Sequence, residues 1–526
     1  MVFLGRVTSM NHPKEGVHAL IFSDCMTTVN TWARSSGAYR IATHLREMGL
    51  RVQVVDYWAY LNIEAEELTE LLIEKFVGSE TLFVGFASTF FNWRLLRSFG
   101  YRSTDKVGFY TSHVDSSVMC TTEARVQAIR DKVKSINPKT DLMLAGARAS
   151  RKVAGMDVVV FGYGERHIED YVKWKKGKNP FFQGTRDEHG RTILEYNTTA
   201  AGLDFGKTTI RWDAEDCVQP GESLPIEISR GCIFRCSFCS FPLNGRAKND
   251  YLKESEVLAG EFIRNYELYG TTKYMFADDT YNDTNTKLEW MNEVVSRLPF
   301  TLEFATYGRL DLIAKFPEQI QLIQQNGCTS MTFGIESLNQ KAAAAIGKGG
   351  KTERLIETLY RMREVWGNKV HTSAGFILGL PYDTYDTMEA WTDRLIDPRF
   401  PLHNPLFVPL GITNAKTTEK KFVSDFDKDP GKFGYVLNST GWVNDTYGTS
   451  LDGCEYMGKS MVNYMTKQGR DHYGSHVLIG VEDETLSREQ SLVLGAYGVA
   501  RHYAMGSRTY QRYLNYMHDI LNLPEF

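Results

Sequence analysis

No apolar run in the 526-residue sequence approaches the roughly 18–20 residues needed to cross a bilayer. The stretch from Met1 to Gly16 also lacks the apolar core of a signal peptide. Neither a membrane nor a secreted protein is expected, and the expected location is cytoplasmic. An excess of positive charge is missing too: 60 Lys and Arg against 64 Asp and Glu leave a net charge of −4. That balance gives no strong signal for nucleic acid. Cysteines number only eight, too few in a chain this long for a disulfide framework. There is no low-complexity tract and no internal repeat. The 42% hydrophobic and 24% charged composition is that of an ordinary globular protein, with room for two to four domains.

Against that scarcity, three of the eight cysteines fall within Gly231-Cys232-Ile233-Phe234-Arg235-Cys236-Ser237-Phe238-Cys239, spaced C-x3-C-x2-C. Thiolates are soft ligands, and three on one short loop can hold three irons of a cubane cluster. The fourth iron would then lack a protein ligand, leaving a position where a small molecule can bind and react. Cys217 lies fifteen residues upstream and Cys328 far downstream, so no nearby cysteine closes the set. A structural zinc knuckle normally takes four ligands from two pairs, and the second pair is missing. The spacing, with an aromatic just before the last cysteine, resembles the signature of the radical S-adenosylmethionine (SAM) superfamily. The resemblance implies a 4Fe–4S cluster on Cys232, Cys236 and Cys239, whose open iron chelates SAM, and Phe238 near the adenine.

From Val17 onward, short apolar runs alternate with helical patterns. Val17–Phe22, Val52–Asp56, Thr81–Phe86, Asp141–Gly146 and Met156–Phe161 read as strands. Helices are expected around Ala38–Met48, Glu64–Phe76 and Thr121–Ile136. Apolar strands alternating with helices imply a doubly wound parallel sheet of Rossmann-like kind, with ligands bound beyond the carboxyl ends of its strands. Gly146 and Gly162-Tyr163-Gly164-Glu165 sit at such ends. This order resembles the N-terminal cobalamin-binding-type domain found in one branch of the superfamily. The D-x-H-x-x-G sequence that supplies a cobalt-ligating histidine is absent: Asp24-Cys25-Met26 follows the first strand, and Asp187-Glu188-His189-Gly190 has its glycine misplaced. Any corrinoid is thus expected to lack a protein imidazole, with His18 and His113 as the fallback ligands.

The organisation expected is a cobalamin-binding-like domain over 1–180, a connection over 181–223 with a hairpin near Asp187–Tyr196, a partial (β/α)6 barrel over 224–410, and a mainly helical region over 411–526. Six strand-like runs, beginning at Leu224–Ser229 and ending at Leu406–Leu410, alternate with helical segments. Such a series puts every carboxyl end on one face, where chemistry collects. Asp278-Asp279 follows the second run, Arg309 the third, Glu336-Ser337 the fourth and Gly379-Leu380-Pro381 the fifth. The resemblance implies that Asp278, Asp279, Arg309, Glu336, Ser337, Gly379 and Pro381 bind the cofactor. Past the barrel, Ser487-Arg488-Glu489-Gln490 reads as a capping box, and Tyr510, Tyr513 and Tyr516 lie on a last helix whose stripe suits packing. Cys454 stands alone, which speaks against a second cluster.

The resemblance implies an enzyme that cleaves SAM reductively to a 5′-deoxyadenosyl radical. It also implies an external electron donor of flavodoxin or ferredoxin type and a small-molecule or peptide substrate. With cobalamin bound, the expected outcome is methyl transfer; without it, rearrangement, dehydrogenation or epimerisation. A non-catalytic metal-binding protein is the alternative outside enzymology.

Overall fold

A computed structural model describes the chain from residue 14 to residue 450, apart from 28–31, 57–65, 89–122, 180–183, 196–203, 240–244, 246–250, 410–422, parts of 383–398 and scattered shorter gaps. The first unit runs β1 (Ala19–Phe22), α1 (Ser36–Glu47), β2 (Val52–Val55), α2 (Glu66–Phe76), β3 (Phe83–Ala87), α3 (Glu123–Ile136), β4 (Asp141–Ala145), β5 (Val158–Phe161) and α4 (Glu165–Lys175). All five strands pair in parallel, in the order β2-β1-β3-β4-β5. The order reverses between β1 and β3, which places the ligand-binding crevice of such a sheet beyond their carboxyl ends.

Every residue of β1 and β2 is buried, as a central parallel strand covered on both faces requires. Alternate residues serve different layers. Ala19, Ile21, Val52, Val54 and Phe83 pack with Tyr39, Leu45, Ile168 and Tyr171 of α1 and α4. Leu20, Phe22, Val55, Val84 and Phe86 pack with Ile73, Phe76, Ile129 and Val133 of α2 and α3. The anticipated hairpin near 187–196 is present as β6 (Thr185–Arg186) and β7 (Thr192–Glu195). It does more than connect: β7 pairs in parallel with β5 and extends the first sheet.

The second unit is six parallel strands in sequence order: β8 (Leu224–Glu227), β9 (Lys273–Ala277), β10 (Glu303–Gly308), β11 (Cys328–Glu336), β12 (His371–Leu378) and β13 (Asn404–Pro409). Between them lie α5 (Ser255–Tyr269), α6 (Asn285–Ser296), α7 (Leu310–Lys315), α8 (Gln319–Gln325), α9 (Gln340–Ala345) and α10 (Thr352–Trp366). α7 and α8 are separated by Pro317, which lacks an amide hydrogen and breaks the ladder between them. Phe304, Met331, Phe333, Ile335, Ala374 and Phe376 face the helices and belong to the same apolar core as the first sheet. That core passes between the units through Ile210, Trp212 and Val218, with the Trp212 ring 4.2 Å from that of Tyr39.

The two units are also joined by buried charge. Arg34 donates to both oxygens of Glu222 at 2.7 and 3.0 Å and to the carbonyls of Asp216 and Cys217. Past the barrel the described chain forms a short helix, Asp425–Lys428, and a three-stranded antiparallel sheet over Tyr435–Asn438, Gly441–Asn444 and Thr449–Ser450. The helices expected from 487 onward, their tyrosines and Cys454 lie outside the described residues. No described helix is long and apolar enough to cross a membrane.

Candidate functional site

The cysteine loop leaves the carboxyl end of β8. Ser229 bridges to Leu252, and Gly231 turns the chain at φ 116°, a conformation that glycine adopts without strain. The Cys239 amide donates to the Cys236 carbonyl at 3.0 Å, and the Ser237 amide to the Ile346 carbonyl at 3.2 Å. From outside the barrel, the amides of Asp425 and Phe426 both donate to the Ser237 carbonyl, at 2.9 and 3.3 Å. None of Cys232, Cys236 and Cys239 is engaged in a disulfide.

Two neighbours address the sulfurs directly. Arg309, just past β10, donates through Nη1 to Cys236 Sγ at 3.1 Å, and its guanidinium lies 4.0 Å from the centre of the Phe234 ring. Asp311 fixes that guanidinium with two bonds of 3.0 and 2.6 Å. Burial raises the Asp311 pKa, but the Arg309 bond and charge prevail and hold it below the usual carboxylate range. Cys232 Sγ donates to Thr280 Oγ1 at 3.3 Å, and burial raises the Cys232 thiol pKa.

The acids at the strand ends divide into two kinds. Asp278 is an anchor: it receives Lys287 Nζ at 2.9 Å, the Ser229 hydroxyl at 2.7 Å and the Thr280 amide at 3.1 Å. Its neighbour Asp279 is pushed up to about 7, by burial first and by Asp278 second, while a bond from the Gly231 amide pulls the other way. Glu336 ends β11 at φ 70°, where the pairing with β12 slips by a residue. Its pKa is raised by burial against the pull of Lys348, whose Nζ lies 3.4 Å away and donates to the Gly334 carbonyl. Ser337 accepts the Asn339 amide at 2.9 Å. Phe238 packs on Ala342, Ile346, Leu380 and Phe426, with Lys348 Nζ 5.8 Å from its ring centre. Pro381 is buried beside this group; Gly379 lies outside the described residues.

Thus Cys236, Phe238, Arg309 and Glu336 are brought to one rim, and Asp279 lies against the start of the cysteine loop. Sequence reading did not assign Lys348, Asp311 or Thr280 to the site individually, Thr280 standing only in the polar run after the second strand. The run Gly347-Lys348-Gly349-Gly350 was the available signal for the first, since paired glycines mark a loop.

At the first sheet, Gly146 and Gly162 end β4 and β5 at φ 109° and 90°, and among the described residues nothing lies within 4 Å of where a Cβ on Gly162 would stand. A ligand can therefore approach the backbone closely there. His18 precedes β1, at the opposite end of the strands, and its Nδ1 accepts the Arg51 amide. Burial, with Lys176 and Arg51, lowers its pKa. It is thus removed as a fallback ligand at the crevice, and His113 lies outside the described residues.

The donor set fits an iron–sulfur group: three soft thiols, unpaired with one another, on a loop folded against an arginine. The first sheet fits a corrinoid held without the His18 imidazole, through open backbone at its carboxyl edge.

Residues 226–395 match the Radical SAM superfamily. A methyltransferase of Pyrococcus horikoshii is 27% identical over 164 residues, covering 31% of this chain and 34% of that protein. The anaerobic magnesium-protoporphyrin IX monomethyl ester cyclase of Cereibacter sphaeroides is 24% identical over 331 residues, 59% of this chain and 53% of that protein. The chain therefore spans about a third to a half of these relatives' length. Among solved structures, the radical SAM methyltransferase TsrM from Kitasatospora setae, with cobalamin and a 4Fe–4S cluster bound, superposes with a TM-score of 0.51. That match has 15% identity and covers 75% of each chain, a likeness of fold.

Proposed function

From a chain whose residues 226–395 form a radical SAM domain, we propose an enzyme that modifies its substrate by SAM-derived radical chemistry, with cobalamin-dependent methyl transfer as the leading outcome. The observation that carries this reading is the loop of three cysteines outside any disulfide at the barrel's carboxyl rim, with Arg309 donating to the middle one. Held by Cys232, Cys236 and Cys239, a reduced 4Fe–4S cluster would supply the electron that splits SAM into methionine and a 5′-deoxyadenosyl radical.

The chain's own residues do the rest. Arg309, locked by Asp311, holds positive charge against Cys236 and offsets the negative charge of a thiolate-ligated metal group. Glu336 and Lys348 present a carboxylate and an ammonium at the same rim, suited to the charged methionyl end of the cofactor. Phe238, Leu380 and Phe426 exclude water behind the loop. The carboxyl edge of the first sheet takes the corrinoid through backbone approach at Gly146 and Gly162. The electron enters from an external donor of flavodoxin or ferredoxin type. Methyl transfer is supported by the methyltransferase names among the relatives and by the fold shared with TsrM.

Anaerobic reconstitution tests the reading. Wild-type protein is expected to hold about four irons and, with dithionite and SAM, to release 5′-deoxyadenosine. The triple variant Cys232→Ala, Cys236→Ala, Cys239→Ala is expected to do neither. Full iron in that variant would remove the loop from the site. Failure of the wild type to retain added corrinoid would transfer the proposal to cobalamin-free rearrangement, dehydrogenation or epimerisation.

A further inference from the structure

The inner face of the half-barrel is legible from strand register. Along β10, β11 and β12, the helix-facing residues are mostly apolar: Phe304, Met331, Phe333, Ala374 and Phe376, with the buried Thr306 and Thr372 among them. Side chains alternate along a strand, so the residues between them face inward. Register then lines these up in rows across the wall: Tyr307 stands opposite Thr332, and Thr332 opposite Ser373. Three neighbouring strands thus offer three hydroxyls at one height.

Exposure falls along the row, from an open Tyr307 through a half-buried Thr332 to a nearly covered Ser373. Tyr307 is 37% exposed, yet the protein around it raises its phenol pKa by burial alone; a side chain projecting into a cavity behaves this way. Among the described residues, neither the Tyr307 nor the Thr332 hydroxyl has a hydrogen-bond partner. Ser373 Oγ has only His371 Nδ1, at 3.5 Å. Above the row, Gly334 pairs with Gly375, and a Cβ on Gly375 would meet nothing closer than 3.9 Å. Below it, Ala305 pairs with Ser330 and Ser330 with His371. Directly above the row, the Glu336 carboxylate lies 2.5 Å and the Lys348 ammonium 3.0 Å from the position of a Cβ on Gly334, an ion pair in itself. On the edge strand β8, Glu227, level with Ala277, is held by Arg230, and Arg309 lies two residues beyond Tyr307. Two residues of strand are about 6.6 Å, so the row sits one small molecule's thickness below the rim.

We propose that Tyr307, Thr332 and Ser373 form the substrate-binding wall and select a neutral hydrogen-bonding group, such as an amide, a ketone or an alcohol, rather than an ion. The inference rests on the radical SAM reading, since that reading makes the space under the rim the place for substrate. The physical reason is desolvation. An ionic group lowered to this depth would lose its water and find the nearest charges, Glu336 with Lys348 and Glu227 with Arg230, already paired with each other. A neutral amide instead exchanges its hydrogen bonds with water for bonds to the hydroxyls.

The test uses cofactor-loaded protein carrying 3-fluorotyrosine at position 307, observed by fluorine NMR. N-acetyl-L-tryptophanamide is titrated against N-acetyl-L-tryptophan, which has the same skeleton with a carboxylate in place of the amide. The amide is expected to shift the resonance saturably, the carboxylate at least several-fold more weakly. Thr332→Val, which keeps the shape and removes the hydroxyl, is expected to weaken the amide about five-fold, and Ser373→Ala similarly. Equal or tighter binding of the carboxylate overturns the proposal, as does a resonance that neither probe moves, as does a Thr332→Val affinity equal to wild type. If the wild type releases no 5′-deoxyadenosine, the radical SAM reading fails instead, and that outcome is read separately.

Discussion

Arg309 does two jobs with one guanidinium: Asp311 fixes one side of the fork and Cys236 receives a bond from the other. Lysine keeps the charge but not the fork. Arg309→Lys is therefore expected to keep full iron content while lowering 5′-deoxyadenosine release roughly 10- to 100-fold, the usual cost of losing a partner that orients a metal ligand. Iron assay and product quantification on the same preparation check this; unaltered release would leave Arg309 a packing residue.

Asp279 titrates in an unusual range for a carboxyl. Its pKa rises to about 7 on folding, by burial and by Asp278, from an ordinary value of 3.8. Folded protein therefore binds more protons than unfolded protein between those values, and stability falls as pH rises through that window. In cluster-free protein, Asp279→Asn is expected to flatten the pH dependence of Tm between about 4 and 7 and to raise Tm at the alkaline end. An unchanged dependence in the variant would mean that Asp279 stays ionised throughout this range.

At the scale of elements, the start of α4 and the approach to the cysteine loop are bound together. Arg230, two residues before Cys232, donates to Glu165 at 2.6 Å and to both oxygens of Glu227 at 3.0 Å, between the rings of Tyr163 and Phe205. Removing one partner of a buried ionic group strands the others. Arg230→Ala is expected to destabilise by about 3–5 kcal/mol in chemical denaturation, and Arg230→Ala with Glu165→Gln by less. A double variant as unstable as the sum of two singles would show that the pair is uncoupled.

The elements themselves were largely legible, because parallel strands buried on both faces must be written as apolar runs, as Leu20 to Phe22 and Val158 to Phe161 are. The cysteine loop stood out because three thiols on one short loop declare themselves by local spacing. The contact of Arg309 with Cys236 spans 73 positions and follows only from the curvature of the barrel, which no local pattern encodes. Asp278 and Asp279 look alike in sequence; Lys287, nine positions along on α6, turns the first into an anchor and leaves the second raised. Glu336 could be read as a strand-end acid, but its positive φ and the slip in register that aims it over Gly334 could not.

Across the whole molecule, the chain past the barrel returns to the site. Phe426 is fully buried against Phe238, Ile346 and Leu380, in a segment whose amides hold the Ser237 carbonyl. Phe426→Ala is expected to cost about 3 kcal/mol and to shorten the lifetime of the reconstituted cluster in air, followed by the decay of its visible absorbance. A lifetime equal to wild type would confine this segment to a role in stability.

One apolar core serves both sheets, and Trp212 stands at the crossing. Side chains packed this closely are not free to vary alone: a change of volume at Trp212 alters the room left for Tyr39 on one side and reaches the packing behind Leu224 on the other. A barrel taken from another sequence and set against this first sheet would meet a mismatched half-interior, so a change of volume in either sheet is felt in the other.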